Sequence, residues 1–127
     1  MADQDVRTVT EAFWAAVGTG DWDAAAGYLH QDFVQEWPQS GERIVGADNA
    51  LAINRNFPGG MPTMKLRRVR SDGDLAAAEV ELTYADGSTY LGVSLLEFRD
   101  GMIVKETDYF AEPFPAPQWR AQWVERK

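Results

Sequence analysis

Apolar positions in the first half of the chain follow a helical spacing. Those nearest the N-terminus recur at intervals of three and four residues, namely Val6, Val9, Phe13, Ala16 and Val17. This spacing predicts an amphipathic helix over residues 5–17. Asp21 is placed to cap a second, short helix over residues 22–29. A short strand is expected over residues 32–37 and a third helix over residues 47–57.

From Met64 onward the pattern favours strands joined by tight turns. Four strands are predicted, over residues 64–71, 75–85, 88–99 and 102–110. They are separated by the pairs Asp72-Gly73, Asp86-Gly87 and Asp100-Gly101, and Asp-Gly is a strong local signal for a β-hairpin. Prolines then end the sheet, and a short last helix follows.

Helices followed by a meander of strands are typical of the α+β class. We therefore predict a curved antiparallel sheet packed against three N-terminal helices, with a short C-terminal helix, in a single domain over residues 1–127. Trp119 and Trp123 lie one turn apart on that last helix, and we assign both to packing.

Turn length also predicts which strand residues share a face. Two-residue turns give these cross-strand sets: Asp108 with Val93 and Val80, Glu106 with Leu95 and Ala78, and Phe110 with Leu91 and Leu82. This face is apolar except for Asp108 and Glu106, so both acids are expected to point towards the helices. A single β-bulge would reverse part of the assignment.

Composition and charge exclude several classes of function. The 127 residues carry a formal charge of -8, which disfavours binding to nucleic acid and to anionic membranes. The chain has no cysteine and one histidine, so thiol catalysis, cysteine-ligated zinc and a His-rich metal site are excluded. We expect no cofactor and no metal. No apolar run is long enough to span a membrane and no signal-peptide pattern is present, so the expected location is cytoplasmic.

The two acids predicted to face the helices are the main candidates for chemistry. A bare carboxylate is costly to bury, and burial raises its pKa towards the range of a general acid or base. Asp108 is therefore the candidate catalytic group, although a structural pair with an Arg, a backbone amide or a Trp N–H would also explain it. Glu106 lies nearer the start of its strand, where solvation at the rim is an alternative to ligand contact. Glu36 is the candidate second carboxylate.

Aromatic residues make up 12% of the chain, with five Trp. They could line a cavity for a flat or cyclic ligand, or they could form a core together with a dimer surface. The predicted substrate-binding residues are Phe13, Trp37, Tyr28, Phe57, Val93 and Glu106. A basic run over residues 65–70 is explained by pairing across strands with Glu79 and Glu81.

The order of elements resembles the nuclear transport factor 2-like superfamily, in its SnoaL-like and ketosteroid-isomerase-like branch. The similarity is carried by "FWAAVGTGDWDAAAGYLHQDFVQEWP", residues 13–38, and by the closing strand "DGMIVKETDYF", residues 100–110. It covers essentially the whole chain. The resemblance implies a cone-shaped α+β barrel with a deep pocket and a homodimer formed through the sheet.

Known enzymes of this superfamily suggest roles for single positions. Ketosteroid isomerases have an oxyanion-binding Tyr where this chain has Phe13, and a general-base Asp where it has Trp37, with Glu36 one position earlier. Epoxide hydrolases similar to limonene-epoxide hydrolase have a closing-strand Asp that Asp108 matches, but their Arg-x-Asp pair falls near residues 79–81, where no Arg stands. SnoaL-like cyclases use a closing-strand Asp to remove a proton next to a carbonyl, and Asp108 fits that role.

Three functions remain open from the sequence. The first is a small-molecule pocket protein that acts as a cofactor-free isomerase, cyclase or hydrolase on an apolar or cyclic substrate. The second is a protein that binds such a ligand without chemistry. The third is a dimerisation module, which would have a filled interior and no cavity.

Overall fold

The computed structural model describes residues 3–127. Its elements, in chain order, are α1 (Asp3–Thr19), α2 (Trp22–Ala26), β1 (Leu29–Trp37), β2 (Glu42–Val45), α3 (Ala47–Arg55), β3 (Thr63–Asp72), β4 (Leu75–Thr83), β5 (Thr89–Arg99), β6 (Met102–Ala111) and a final 3₁₀ helix (Gln118–Trp123). The α+β class is confirmed. None of the helices in the described chain is long and apolar enough to cross a membrane.

The first helix buries the face that its apolar spacing predicts. Val6, Phe13 and Val17 are buried, and Thr10 joins this face because its hydroxyl donates to the carbonyl of Val6 at 2.8 Å. The predicted cap of α2 is confirmed, since the Asp21 carboxylate accepts a hydrogen bond from the backbone N–H of Ala24.

The sheet is curved and unclosed, with the strand order β2-β1-β6-β5-β4-β3. It is mixed rather than fully antiparallel as predicted, because β1 and β6 pair in parallel. Strand β2 has only four residues and was not predicted, since so short a segment carries little periodicity. Helix α1 packs on β3 and β4, and α3 packs on β1 and β2, so the helices cover one face of the sheet.

The predicted register of β5 is wrong by one residue. The turn between β4 and β5 places three residues, 85–87, between the paired Tyr84 and Ser88, with Gly87 at a φ of +87°. A three-residue hairpin loop that ends in a left-handed glycine is a common alternative to the two-residue loop. Ser94 consequently lies opposite Ala78, where Val93 would have faced Val80. Val93 is turned to the outer face.

A second irregularity restores the predicted orientation of β6. The Asp100-Gly101 turn has the expected two residues and pairs Arg99 with Met102. The register then shifts between Glu97 and Phe98, and this bulge leaves Val104 without a register partner on β5. This bulge and the longer loop each move the register by one residue, so Asp108 is in line with Ala78 instead of Val80, and a shift of two residues keeps the same face. Asp108 and Glu106 face the helices, as predicted, although their predicted neighbours on β5 were wrong.

The C-terminal segment differs from its predicted role. Trp119 and Trp123 lie on the 3₁₀ helix and are 73% and 71% exposed, so their assignment to packing is wrong within this chain. By contrast, the predicted pairing of the basic run is confirmed: Arg67 bonds to Glu81 at 2.7 Å and Arg68 bonds to Glu79.

Candidate active site

An apolar cavity lies between the helices and the inner face of the sheet. Its volume is about 310 Å³, which lies at the lower end of the range for small-molecule sites. Most of its wall is apolar, with contributions from Phe13, Val17, Leu29, Leu51, Ile53, Met61, Met64, Leu82 and Phe110. The dimerisation-module alternative predicted an interior filled by side chains, and the cavity contradicts that prediction.

Three of the predicted ligand-contact aromatics line this cavity. They are Phe13, Trp37 and Phe57, and the ring of Phe57 lies 5.7 Å from that of Tyr84 between centroids. Tyr28 packs against the core but is not part of the cavity wall. Val93 is also outside the wall, because the register shift turns it to the exposed outer face.

Both acids of β6 reach the cavity from the sheet. Asp108 is 2% exposed and Glu106 is 5% exposed, and both belong to the cavity wall. They are two residues apart on one strand, so their side chains project from the same face. Two carboxyl groups thus share one mostly apolar chamber.

Asp108 is held by three hydrogen-bond donors. The Ser94 hydroxyl donates to Oδ1 at 2.6 Å, while Nε2 of Gln35 and Nε1 of Trp37 donate to Oδ2 at 2.7 and 3.0 Å. These donors satisfy the acceptor capacity that a buried carboxylate requires. The Trp N–H that sequence reasoning gave as one structural explanation of Asp108 is therefore present.

Gln35 connects the two acids. Its Nε2 atom donates to Asp108 and also to Oε2 of Glu106, at 3.2 Å. The parallel pairing of β1 with β6 sets this contact, because it places Gln35 directly beside Glu106. The cluster is thus built from three consecutive strands of the sheet, β1, β6 and β5.

The environment of Glu106 favours its protonated form. Burial raises the pKa of Glu106 well above its ordinary value, and the negative charge of Asp108 and a hydrogen bond with it raise the pKa further. Glu106 therefore keeps its proton at pH values at which an exposed glutamate has lost it. The site combines a carboxyl whose protonated form is favoured with a carboxyl that accepts three hydrogen bonds, which is the separation of roles that an acid and a base require.

Glu36 does not lie in this cluster. It is on the opposite face of β1, where it pairs with Lys105 at 2.8 Å and Arg43 at 3.1 Å, and these cations lower its pKa. Side chains alternate along a strand, so the inward orientation of Gln35 and Trp37 turns Glu36 outwards. The prediction that Glu36 is a second carboxylate beside the pocket is corrected: Glu106 takes that position.

Sequence reasoning missed Gln35 and Ser94. The alternation of Phe33, Gln35 and Trp37 along β1 was the available signal, because two aromatics that face inwards carry the residue between them to the same face. Ser94 had no comparable signal, since it becomes inward-facing only through the three-residue loop before β5.

The comparisons agree with this architecture. The SnoaL-like domain family matches residues 10–106. An NTF-2 like protein of unknown function from Burkholderia xenovorans LB400 is 39% identical, with 98% of this chain and 96% of that chain covered and a TM-score of 0.86. A protein from Kribbella flavida DSM 17836, provisionally named a ketosteroid isomerase, is 31% identical over 98% of this chain and 91% of its own, with a TM-score of 0.91.

A more distant similarity links the chain to an enzyme of another kind. An LEH-like epoxide hydrolase from M. tuberculosis is 25% identical over 86% of this chain and 84% of its own, with a TM-score of 0.73. No curated protein matches the chain significantly. The predicted resemblance is confirmed: the chain belongs to the SnoaL-like domain family, within the NTF2-like fold.

Proposed function

We propose that this protein is a cofactor-independent enzyme that moves a proton on a small, mostly apolar carbonyl compound. The observation that carries the proposal is the buried pair of Asp108 and Glu106 on the wall of an apolar cavity. Asp108 is the general base, and Glu106 supplies a proton or a hydrogen bond to the substrate oxygen.

The surroundings of the two acids support this division of roles. Glu106 is the group whose protonated form burial favours, so it is the donor. Asp108 accepts from Ser94, Gln35 and Trp37, and these donors fix its carboxyl group in one orientation. A base held in one orientation needs little reorganisation during reaction.

The proposed step is removal of a proton next to a carbonyl. Asp108 takes the proton from the carbon, the electron pair of the broken C–H bond forms a C=C bond, and the carbonyl oxygen receives the Glu106 proton. Where the substrate carries a neighbouring C=C bond, the enol is a dienol: Asp108 returns its proton to the far carbon of the dienol, the enol hydroxyl returns its proton to Glu106 as the C=O bond re-forms, and an isomer results. Alternatively, the enol carbon attacks a second carbonyl of the same molecule: the enol hydroxyl returns its proton to Glu106 as the first C=O bond re-forms, the new alkoxide takes the proton from Asp108, and a hydroxylated ring results.

A second candidate function is ligand binding without chemistry. It is favoured by the number of hydrogen bonds to Asp108, because a carboxyl group with three internal donors is already satisfied without substrate. In this alternative the acids orient a polar group of the ligand.

We also propose that two copies associate through the outer face of the sheet. Val93 and Tyr109 are register partners on that face, and both are exposed together with the neighbouring Leu91. An apolar cluster of this kind on an exposed sheet face suits a second copy of the chain. Sedimentation of the wild type and of the Val93→Lys variant tests this, with association expected only for the wild type.

Deuterium exchange tests the enzymatic proposal without knowledge of the natural substrate. Cyclic ketones such as 1-tetralone are incubated with the protein in D₂O, and deuterium at the carbon beside the carbonyl is followed by NMR. The wild type is expected to accelerate exchange, and Asp108→Asn is expected to lower the rate by about a hundredfold or more, as for loss of a general base.

The matched control is Glu97→Gln, which removes an exposed carboxylate from the adjacent strand. It should exchange at the wild-type rate. Acceleration that survives in Asp108→Asn would refute the assignment of the base. Tight binding of the ketones with no acceleration would favour ligand binding without chemistry.

A further inference from the structure

The orientation of the Gln35 amide is fixed by the two acids. Its two N–H bonds are directed at Asp108 Oδ2, at 2.7 Å, and at Glu106 Oε2, at 3.2 Å. A flipped amide would place the carbonyl oxygen of Gln35 against Asp108 Oδ2 and lose the hydrogen bond of 2.7 Å, because an amide oxygen has no hydrogen to donate. Only one orientation of the side chain therefore satisfies the cluster.

This orientation leaves the Gln35 carbonyl oxygen, Oε1, as an unused acceptor. It accepts no hydrogen bond from any of residues 6–127. It is not sealed within protein either, since Trp14 Nε1 is the one fully enclosed side-chain polar atom that lacks a partner in the described chain. Because Gln35 belongs to the cavity wall, its Oε1 atom is available to a bound molecule.

The free acceptor lies close to the proposed donor. Gln35 and Glu106 are in hydrogen-bond contact, and they are register partners on neighbouring strands. The amide oxygen and the Glu106 carboxyl are therefore separated by no more than a few ångströms, on the order of one amide group and one hydrogen bond. A small ligand that engages both needs a donor and an acceptor within a few bonds of each other.

We propose that Gln35 determines specificity by selecting hydroxy-carbonyl compounds, in which a hydroxyl group lies one or two carbons from a carbonyl on an apolar ring skeleton. The hydroxyl donates to Gln35 Oε1, and the carbonyl oxygen accepts from Glu106. This inference deepens the proposed function and rests on it for the role of Glu106. The apolar wall accommodates the ring.

Three related ketones test the inference on the unmodified protein. They are 1-tetralone, 2-hydroxy-1-tetralone and 2-methoxy-1-tetralone, and their dissociation constants are measured by isothermal titration calorimetry. The hydroxy compound is expected to bind about tenfold more tightly than 1-tetralone, which corresponds to one hydrogen bond of about 1.4 kcal/mol. The methoxy compound has an oxygen but no O–H donor, and it should lose this advantage.

The variant Gln35→Met removes the acceptor while keeping a side chain of similar length. It is expected to bind 1-tetralone and its hydroxy derivative with equal affinity. Gln31→Met is the matched control, because Gln31 is an exposed residue of the same strand. That control should keep the tenfold preference.

The results separate this inference from the proposed enzymatic function. Equal affinity of the wild type for the hydroxy and methoxy compounds overturns the selection of hydroxy-carbonyls, whether or not deuterium exchange is catalysed. The same holds if Gln35→Met keeps the preference, or if none of the three compounds binds. A preference that depends on Gln35 without catalysed exchange supports the specificity role and refutes the enzymatic one.

Discussion

The contact between Gly92 and Phe110 offers a sharp test of the packing beside the cavity. These two residues are register partners on β5 and β6, and the Phe110 ring occupies the space that a side chain at position 92 would need. A Cβ atom placed on Gly92 would lie 2.5 Å from Phe110 Cε1 and 2.9 Å from the carbonyl oxygen of Tyr109. Both distances are shorter than real Cβ contacts, so Gly92→Ala requires the ring or the strand to move.

The expected change in the free energy of unfolding on Gly92→Ala is the sum of two opposing contributions. Overpacking of this kind typically costs about 1–3 kcal/mol. Replacement of glycine by alanine in an unstrained strand would instead stabilise the fold by about 0.5–1 kcal/mol. We expect Gly92→Ala to lower the free energy of unfolding by about 1–2 kcal/mol in the wild-type background. In a Phe110→Ala background the ring is absent, and the same substitution should be close to neutral.

Urea denaturation of the four proteins, followed by circular dichroism, gives the coupling between the two positions. The expected coupling is about 1 kcal/mol or more. All four proteins are measured at one pH, because the raised pKa of the nearby Glu106 makes stability depend on pH. If Gly92→Ala costs the same with and without the Phe110 ring, the ring is not what excludes a side chain at position 92.

Two further predictions concern the acids. Because burial raises the pKa of Glu106 above its ordinary value of 4.5, the stabilisation by its protonated form is complete below pH 4.5 and is lost as the pH rises through the raised pKa. Urea denaturation should therefore show the wild type losing stability relative to Glu106→Gln as the pH rises above 4.5. The control Glu97→Gln should follow the wild type. If the unfolding free energies of the wild type and Glu106→Gln change with pH in parallel, the pKa of Glu106 is not raised by folding. Asp108→Ala should cost roughly 2 kcal/mol more than Asp108→Asn, because alanine leaves three donors without an acceptor whereas asparagine keeps one oxygen for Gln35 and Trp37. Equal unfolding free energies of these two variants would show that the donors find other partners.

The order of elements was predictable because each long element carries its own pattern. The apolar spacing of α1, the cap at Asp21 and the alternation along β4 are local features, and each predicted its element. Strand β2 is too short for such a pattern. The parallel pairing of β1 with β6 depends on how distant segments meet, which local periodicity does not specify.

The site was predictable only in part, because the orientation of a strand residue depends on every turn and bulge before it. Asp108 was placed on the correct face because two one-residue shifts, one in the loop before β5 and one at Val104, add up to two residues, which leaves the alternation unchanged. Val93 lies between these shifts and was therefore placed on the wrong face. Glu36 was chosen for its charge, whereas the alternation along β1 selects Gln35.

The meeting of β1 and β6 also has a consequence for how the protein is made. The bonds from Gln35 and Trp37 to Asp108 join residues 73 and 71 positions apart, so loop closure over most of the chain precedes them. During synthesis, the chain must have emerged from the ribosome as far as residue 111, the end of β6, before β1 can pair with that strand. Until then the nascent N-terminal strand has one open edge, and its Gln and Trp side chains lack the carboxylate that later holds them.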